Sequence, residues 1–158
     1  MIRVAVVDDQ QLVREGFAMI LSAQPDVEVA VLAEDGRAFL RAVEADPRLD
    51  VALVDVRMPV LDGLAATRAL QALPHAPAVI VVTTFDHDEY VLDAIAAGAR
   101  GFLLKRCSGA ELVRAPHAAA PAHVGLERGR DGGLPQLGGA VVDRVGQVWG
   151  RRCMNELE

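Results

Sequence analysis

The sequence predicts an open α/β fold, a doubly wound five-stranded parallel sheet with helices on both faces. Three observations lead there. Short β-branched runs recur five times between residues 2 and 104, amphipathic segments of helical period separate them, and most runs are apolar at consecutive positions. Strands buried on both faces and joined through helices belong to a parallel sheet covered on both sides.

Ile2-Arg3-Val4-Ala5-Val6-Val7 reads as the first strand, and Asp8 and Asp9 end it. Leu12, Val13, Phe17, Ile20 and Leu21 then recur at helical spacing before Pro25. Val27 to Leu32 is the second strand and Arg37 to Val43 the second helix. Val51-Ala52-Leu53-Val54 is the third strand, ended by Asp55. The third helix runs from Gly63 to Leu73 with Asp62 as its N-cap. Ala78 to Val82 is the most continuous strand, closed by Thr83 and Thr84. Glu89 to Ala97 forms the fourth helix, and Gly98 stands where a left-handed C-cap belongs. Gly101-Phe102-Leu103-Leu104 is the fifth strand, ending at Lys105.

Composition narrows the functional classes. The 158 residues suit one ordinary domain. With 16 Lys and Arg against 22 Asp and Glu the charge is −6, so no basic surface for gripping nucleic-acid phosphates is written into the composition. No apolar run approaches the roughly 18 residues of a membrane span, and the first stretch lacks a signal-peptide cleavage site. Cys107 and Cys153 make neither a disulfide framework nor a metal knuckle. These features lead to the expectation of a cytoplasmic protein.

The charge is unevenly spread. Residues 1–115 hold 11 basic and 17 acidic residues, the whole of the −6; residues 116–158 hold five of each and eight of the 14 glycines. Pro116 and Pro121 interrupt an alanine run, and Gly-Arg-Asp-Gly-Gly and Leu-Gly-Gly follow. A domain at 1–115 and an atypical Gly/Arg-rich, poorly ordered tail at 116–158 are therefore expected. Val141, Val142, Val145, Val148 and Trp149 give the tail its only hint of a short helix.

In a doubly wound sheet, ligands bind at the carboxyl ends of the strands. Asp8, Asp9, Asp55, Thr83 and Lys105 all stand on that edge. Any one has a duller reading: an Asp after a strand commonly starts a turn or caps a helix, and Thr83 alone is an ordinary β-branched strand end. Together they are chemically specific. Three carboxylates raise one another's pKa unless a cation sits among them, and oxygen donors without sulfur suit Mg²⁺. Lys105 is the chain's single lysine beside 15 arginines, and a compact ammonium is not interchangeable with a guanidinium. Such an edge fits an anionic phosphoryl group.

Val-Val-Asp-Asp-Gln (6–10), Asp-Val-Arg-Met-Pro-Val-Leu-Asp-Gly (55–63), Val-Thr-Thr-Phe-Asp (82–86) and Gly-Phe-Leu-Leu-Lys (101–105) together resemble the receiver domain of two-component response regulators, over residues 2 to 115. The wording is nearest to receivers that precede a LuxR-type helix-turn-helix. The resemblance implies a flavodoxin-like, CheY-like fold. It implies that Asp55 accepts a phosphoryl group from a phosphohistidine on a sensor histidine kinase, in a Mg²⁺-dependent self-phosphorylation with slow self-dephosphorylation. Asp9, Asp55 and the backbone carbonyl of Arg57 would ligate Mg²⁺, with Asp8 acting mainly through water. Thr83 and Lys105 would contact the phosphoryl oxygens. Thr83 and Phe102 would form the switch that alters the face of helix four and strand five, the Phe102 ring turning inward as Thr83 moves. Arg57, two residues beyond the acceptor, would influence the lifetime of the modified state. A homodimer is a further partner the resemblance allows.

The pattern departs from that family after Ala115. A receiver's fifth helix runs about three turns; Gly109 to Ala115 begins one, and Pro116 is expected to end it early, since proline removes an amide donor and crowds the preceding turn. Part of the sheet face and the flank of the first helix would then be exposed. No recognition helix follows, so DNA binding by this chain itself is not expected. An alternative is a DNA-binding transcriptional regulator whose helix-turn-helix is missing or frameshifted here. A haloacid dehalogenase-like phosphotransferase is disfavoured: it needs an aspartate two residues after the nucleophile, where this chain has Arg57. His87, between Asp86 and Asp88, reads as a solvated loop residue, and Tyr90 as a surface residue.

Overall fold

The structure, a computed structural model, describes residues 1–84 and 88–120, with side chains throughout except at 88–91. Strands and helices alternate along these residues: β1 (Ile2–Val7), α1 (Gln11–Ser22), β2 (Val27–Ala33), α2 (Gly36–Ala45), β3 (Val51–Asp55), α3 (Gly63–Leu70), β4 (Ala78–Thr83), α4 (Asp88–Ala96), β5 (Gly101–Leu104) and α5 (Gly109–Ala119). The strands lie in the order β2-β1-β3-β4-β5, every neighbouring pair parallel. This is the doubly wound sheet the alternation predicts.

The period of two along each strand divides the core into two layers. Val4 and Val6 of β1, Val51 and Leu53 of β3, and Ile80 and Val82 of β4 share one apolar cluster with Leu21 of α1 and Leu112 of α5. Their alternate neighbours Ala5, Val7, Ala52, Val54, Val79 and Val81 join Phe39 and Val43 of α2, Leu64 and Leu70 of α3 and Ala94 of α4. Each large side chain withdrawn from water contributes about 1.5–3 kcal/mol, so the continuous apolar runs are the main source of stability.

Local signals start and stop the helices. Asp35 accepts a hydrogen bond from the Ala38 amide and Asp62 one from the Ala65 amide, each 2.7 Å, capping α2 and α3. Ser108 accepts from the Glu111 amide at 3.2 Å and opens α5. Gly98 has φ 99°, and the amides of Gly98 and Ala99 bond back to Ile95 and Ala94, a left-handed C-cap closing α4 as expected. The third helix stops at Leu70 rather than Leu73; the Ala72 and Leu73 amides bond three residues back, tightening the chain before Pro74.

The fifth helix corrects the sequence reading. It does not end at Pro116 but runs through it to Ala119, so the boundary expected near 115 falls inside α5. Proline forfeits its own amide bond and crowds the preceding turn, but the Pro116 carbonyl still accepts from Ala120 at 2.9 Å. The compensation is tertiary. Leu112, Ala115, Ala119 and Ala120 are buried in the cluster that holds Leu21, Val27 and Ile80, and the Pro116 ring is buried as well. The sheet face expected to be exposed is therefore covered along α5. The tail features at 121–158, including Val141, Val145 and Trp149, lie outside the described residues, as do the side chains of His87 and Tyr90.

Candidate functional site at the carboxyl edge of the sheet

Neighbouring parallel strands all run toward one edge of the sheet, so residues far apart in sequence become neighbours there. Asp8 follows β1, Asp55 is the last residue of β3, Thr83 the last of β4, and Lys105 follows β5. One carboxylate oxygen from each of Asp8, Asp9 and Asp55 lies within 4.8 Å of the others. Asp8 and Asp55 are only 1% and 6% exposed, whereas Asp9 faces solvent.

Lys105 reaches into this group. Its Nζ lies 2.9 Å from Asp8 Oδ2 and 3.2 Å from Asp55 Oδ2, and it donates to Gln10 Oε1 at 3.5 Å. Burial lowers the lysine's pKa, but the hydrogen bonds and charges of Asp8 and Asp55 outweigh it and leave the ammonium above its ordinary value. Asp55 is pushed up to about 6: burial is the largest cause and the Asp8 charge the next, with Lys105 opposing both and Asp9 adding to the rise. Even so, this carboxyl is mostly ionised at pH 7 and able to act as a nucleophile.

The backbone around Asp55 is held closely. The Gly63 amide donates to the Val56 carbonyl at 2.9 Å, and a Cβ at position 63 would sit 1.9 Å from the Asp55 carbonyl oxygen, so only glycine fits. Between them the chain makes a three-residue turn: the Leu61 amide bonds to the Pro59 carbonyl at 2.8 Å with Val60 at φ 70°. A tight turn thus forms around Pro59, and the exposed Arg57 lies just before it.

Asp8 is anchored at every polar atom. Its amide donates to Ala33 O at 3.1 Å, its Oδ1 accepts from the Gln10 amide at 2.8 Å, its Oδ2 meets Lys105, and its carbonyl accepts from Arg14 Nη1 at 2.6 Å. Gln10 and Arg14 were not singled out by the sequence pattern. The signal for them was present: they stand four residues apart across the start of α1, immediately after the Asp8–Asp9 pair.

Thr83 is buried and its carbonyl accepts the Lys105 amide at 2.8 Å. Register pairs Thr83 with Leu104 and Val81 with Phe102, so Phe102 lies two residues inward on the strand beside Thr83. The Phe102 ring is already buried, in the cluster that contains Val81 and Ala94. Cys107 is half-buried and burial pushes its thiol up, in keeping with an unactivated thiol. His75 is exposed on the loop before β4. No helix among the described residues is long and apolar enough to cross a membrane.

The family model for the response regulator receiver domain matches residues 4–116. The chain is 45% identical over 120 residues to the uncharacterized transcriptional regulatory protein YxjL of Bacillus subtilis, covering 75% of this chain and 54% of that protein. It is 43% identical over 146 residues to the transcriptional regulatory protein LiaR of the same organism, covering 92% of this chain and 65% of LiaR. The chain thus spans between half and two thirds of the length of these relatives. Among solved structures, the receiver domain of NarL from Mycobacterium tuberculosis superposes with a TM-score of 0.69 at 36% identity, over 82% of this chain and 98% of that one. With the acidic cluster, the lysine and the strand order already in place, these likenesses make the chain a member of the response regulator receiver domain family of two-component systems.

Proposed function

We propose that the chain is a phosphorylation-operated switch with Asp55 as the acceptor. The observation that carries this reading is the convergence of Asp8, Asp9, Asp55 and Lys105 on one sheet edge, beside Thr83. An Asp55 oxygen attacks the phosphorus of a phosphohistidine on a partner histidine kinase. The P–N bond breaks and its electron pair stays on the imidazole nitrogen, which takes up a proton; the product on this chain is an acyl phosphate. Such transfer asks the protein for positioning and charge neutralisation more than for covalent chemistry. Lys105 shifts its contact from the carboxylates to a phosphoryl oxygen, and the Thr83 hydroxyl donates to another.

The donor set suits Mg²⁺: three carboxylates, no sulfur, and crowding that a divalent ion relieves. Asp9, Asp55 and the Arg57 carbonyl would hold it, with Asp8 bridging through water. When bound, Mg²⁺ neutralises charge on the phosphoryl oxygens. Thr83 and Phe102 share a strand neighbourhood, so a displacement of Thr83 toward the phosphate is felt in the packing of Phe102 of β5 against α4 and β4. Slow hydrolysis by water resets the switch, its rate modulated by Arg57. On this reading the protein is a cytoplasmic signalling switch and not an enzyme turning over a metabolite.

A second reading, output through DNA, is favoured by the relatives' names as transcriptional regulatory proteins. The described elements of this chain all belong to the receiver sheet and its helices. On this second reading DNA output would be supplied by a reader domain that the described elements do not include, while a homodimer remains a partner proposed for the receiver itself.

The test is intact mass after incubation with a small phosphodonor, with and without Mg²⁺, for wild type and Asp55→Asn. A Mg²⁺-dependent gain of one phosphoryl group that the variant loses supports the reading. A folded wild-type protein that gains nothing refutes it.

A further inference from the structure

We propose that Arg14 is a positioning residue for the cation site: its guanidinium fixes the Asp8–Asp9 peptide plane and thereby the direction in which Asp9 presents its carboxylate. The inference rests on the reading of the acidic edge as a Mg²⁺ site and adds a residue to it.

Arg14 lies in the first turn of α1, four residues after Gln10, and its amide bonds to the Gln10 carbonyl at 3.0 Å. From there Nη1 donates to the Asp8 carbonyl at 2.6 Å. A peptide group is planar, so the atom that holds Asp8 O also sets the orientation of the Asp9 N–H and Cα. This matters because the two aspartates are restrained differently. The Asp8 carboxylate has a partner on each oxygen, Gln10 and Lys105. The Asp9 side chain is exposed and has no hydrogen-bond partner among the described residues, so only its backbone directs it. An oxygen of Asp9 nonetheless lies within 4.8 Å of oxygens of Asp8 and Asp55.

The helix itself gains little from an arginine there. The positive end of a helix disfavours a cation in its first turn. α1 begins with no acidic residue in that turn and no side-chain cap from Gln10. A residue that conflicts with local preference and makes its strongest bond to the site's backbone is placed there for the site.

The experiment is a Mg²⁺ titration of the unphosphorylated full chain by calorimetry, for wild type, Arg14→Ala and Arg14→Lys, with circular dichroism melts as the folding check. Removing an outer partner of a metal site typically weakens the metal by 10–100-fold. Arg14→Ala is expected to weaken Mg²⁺ by about ten-fold, and Arg14→Lys, which keeps a long donor, to recover most of that loss. If Arg14 merely repelled the cation, Arg14→Ala would bind as tightly as wild type or tighter, which overturns the proposal. A loss that lysine does not relieve overturns it too. Absence of Mg²⁺ binding in wild type would instead remove the metal reading on which the inference stands.

Discussion

Lys105 and Asp55 stand 50 positions apart in sequence and 3.2 Å apart in space, and the same ammonium lies 2.9 Å from Asp8. The lysine is thus the resident counter-charge of two buried carboxylates. Removing one partner of a buried ion pair leaves an uncompensated charge, at a cost of about 3–5 kcal/mol. Lys105→Met should therefore lower the metal-free unfolding free energy at pH 7 by about 3 kcal/mol. It should also raise the Asp55 pKa beyond about 6. The stability loss should shrink at pH 5, where Asp55 is protonated. Urea unfolding at the two pH values measures it; equal losses would show that Lys105 is not the compensating charge.

Asp55 itself makes stability depend on pH in a direction opposite to an ordinary surface carboxylate. Its folded pKa of about 6 lies above the ordinary 3.8. Between those values the folded state binds more protons than the unfolded, so stability falls as pH rises through about 6. The contribution lost is roughly 2–3 kcal/mol. Without metal, the wild-type melting temperature should drop between pH 5 and pH 7.5. Asp55→Asn should flatten that slope, and an unchanged slope in the variant would assign it to other groups.

Two glycines should respond in opposite ways to alanine. At Gly63 the added carbon would collide with the Asp55 carbonyl, backbone that cannot yield, and press on the Val54 side chain. Gly63→Ala is expected to destabilise by about 3 kcal/mol or more, the upper range of overpacking. Gly16, inside α1, has nothing within 4 Å of a built Cβ. Gly16→Ala should stabilise by about 0.8–1 kcal/mol, the helix-propensity difference. Thermal melts of the pair check both signs.

The end of α5 is latched by charge. His117 Nδ1 lies 2.8 Å from the Val113 carbonyl and Nε2 2.6 Å from Asp26 Oδ2. Both partners accept when Asp26 is ionised, so the ring makes both bonds only as an imidazolium. The His117 hydrogen bond holds the Asp26 carboxyl below its usual range. A depressed carboxyl contributes stability that is present above its ordinary pKa and lost as pH falls through the folded value. Amide protection at Ala118–Ala120 should fall as Asp26 is protonated and should be lower in Asp26→Asn than in wild type. Exchange indifferent to that substitution would show that packing alone holds the last turn.

The residues that form each element were legible because their signals are local. Val79-Ile80-Val81-Val82 announces a strand buried on both faces, Asp62 a helix start and Gly98 a helix end. The rule that strand ends gather ligands then placed Asp8, Asp55, Thr83 and Lys105 on one edge, where the structure also has them. The length of α5 was not legible. The cost of Pro116 is local and visible in sequence, whereas the burial of Leu112, Ala115 and Ala119 that offsets it depends on residues from five other elements.

Sequence by itself determined the alternation of strands and helices, the residues at the carboxyl ends and the family they resemble, because each follows from period and neighbouring side chains. Tertiary structure alone decided that Lys105 bridges Asp8 and Asp55, that Phe102 is packed inward, that Arg14 holds the Asp8 carbonyl and that α5 passes through Pro116. Each of these is a balance of burial, charge and hydrogen bonding between segments distant in the chain. Such balances exist only once the sheet has brought the segments together.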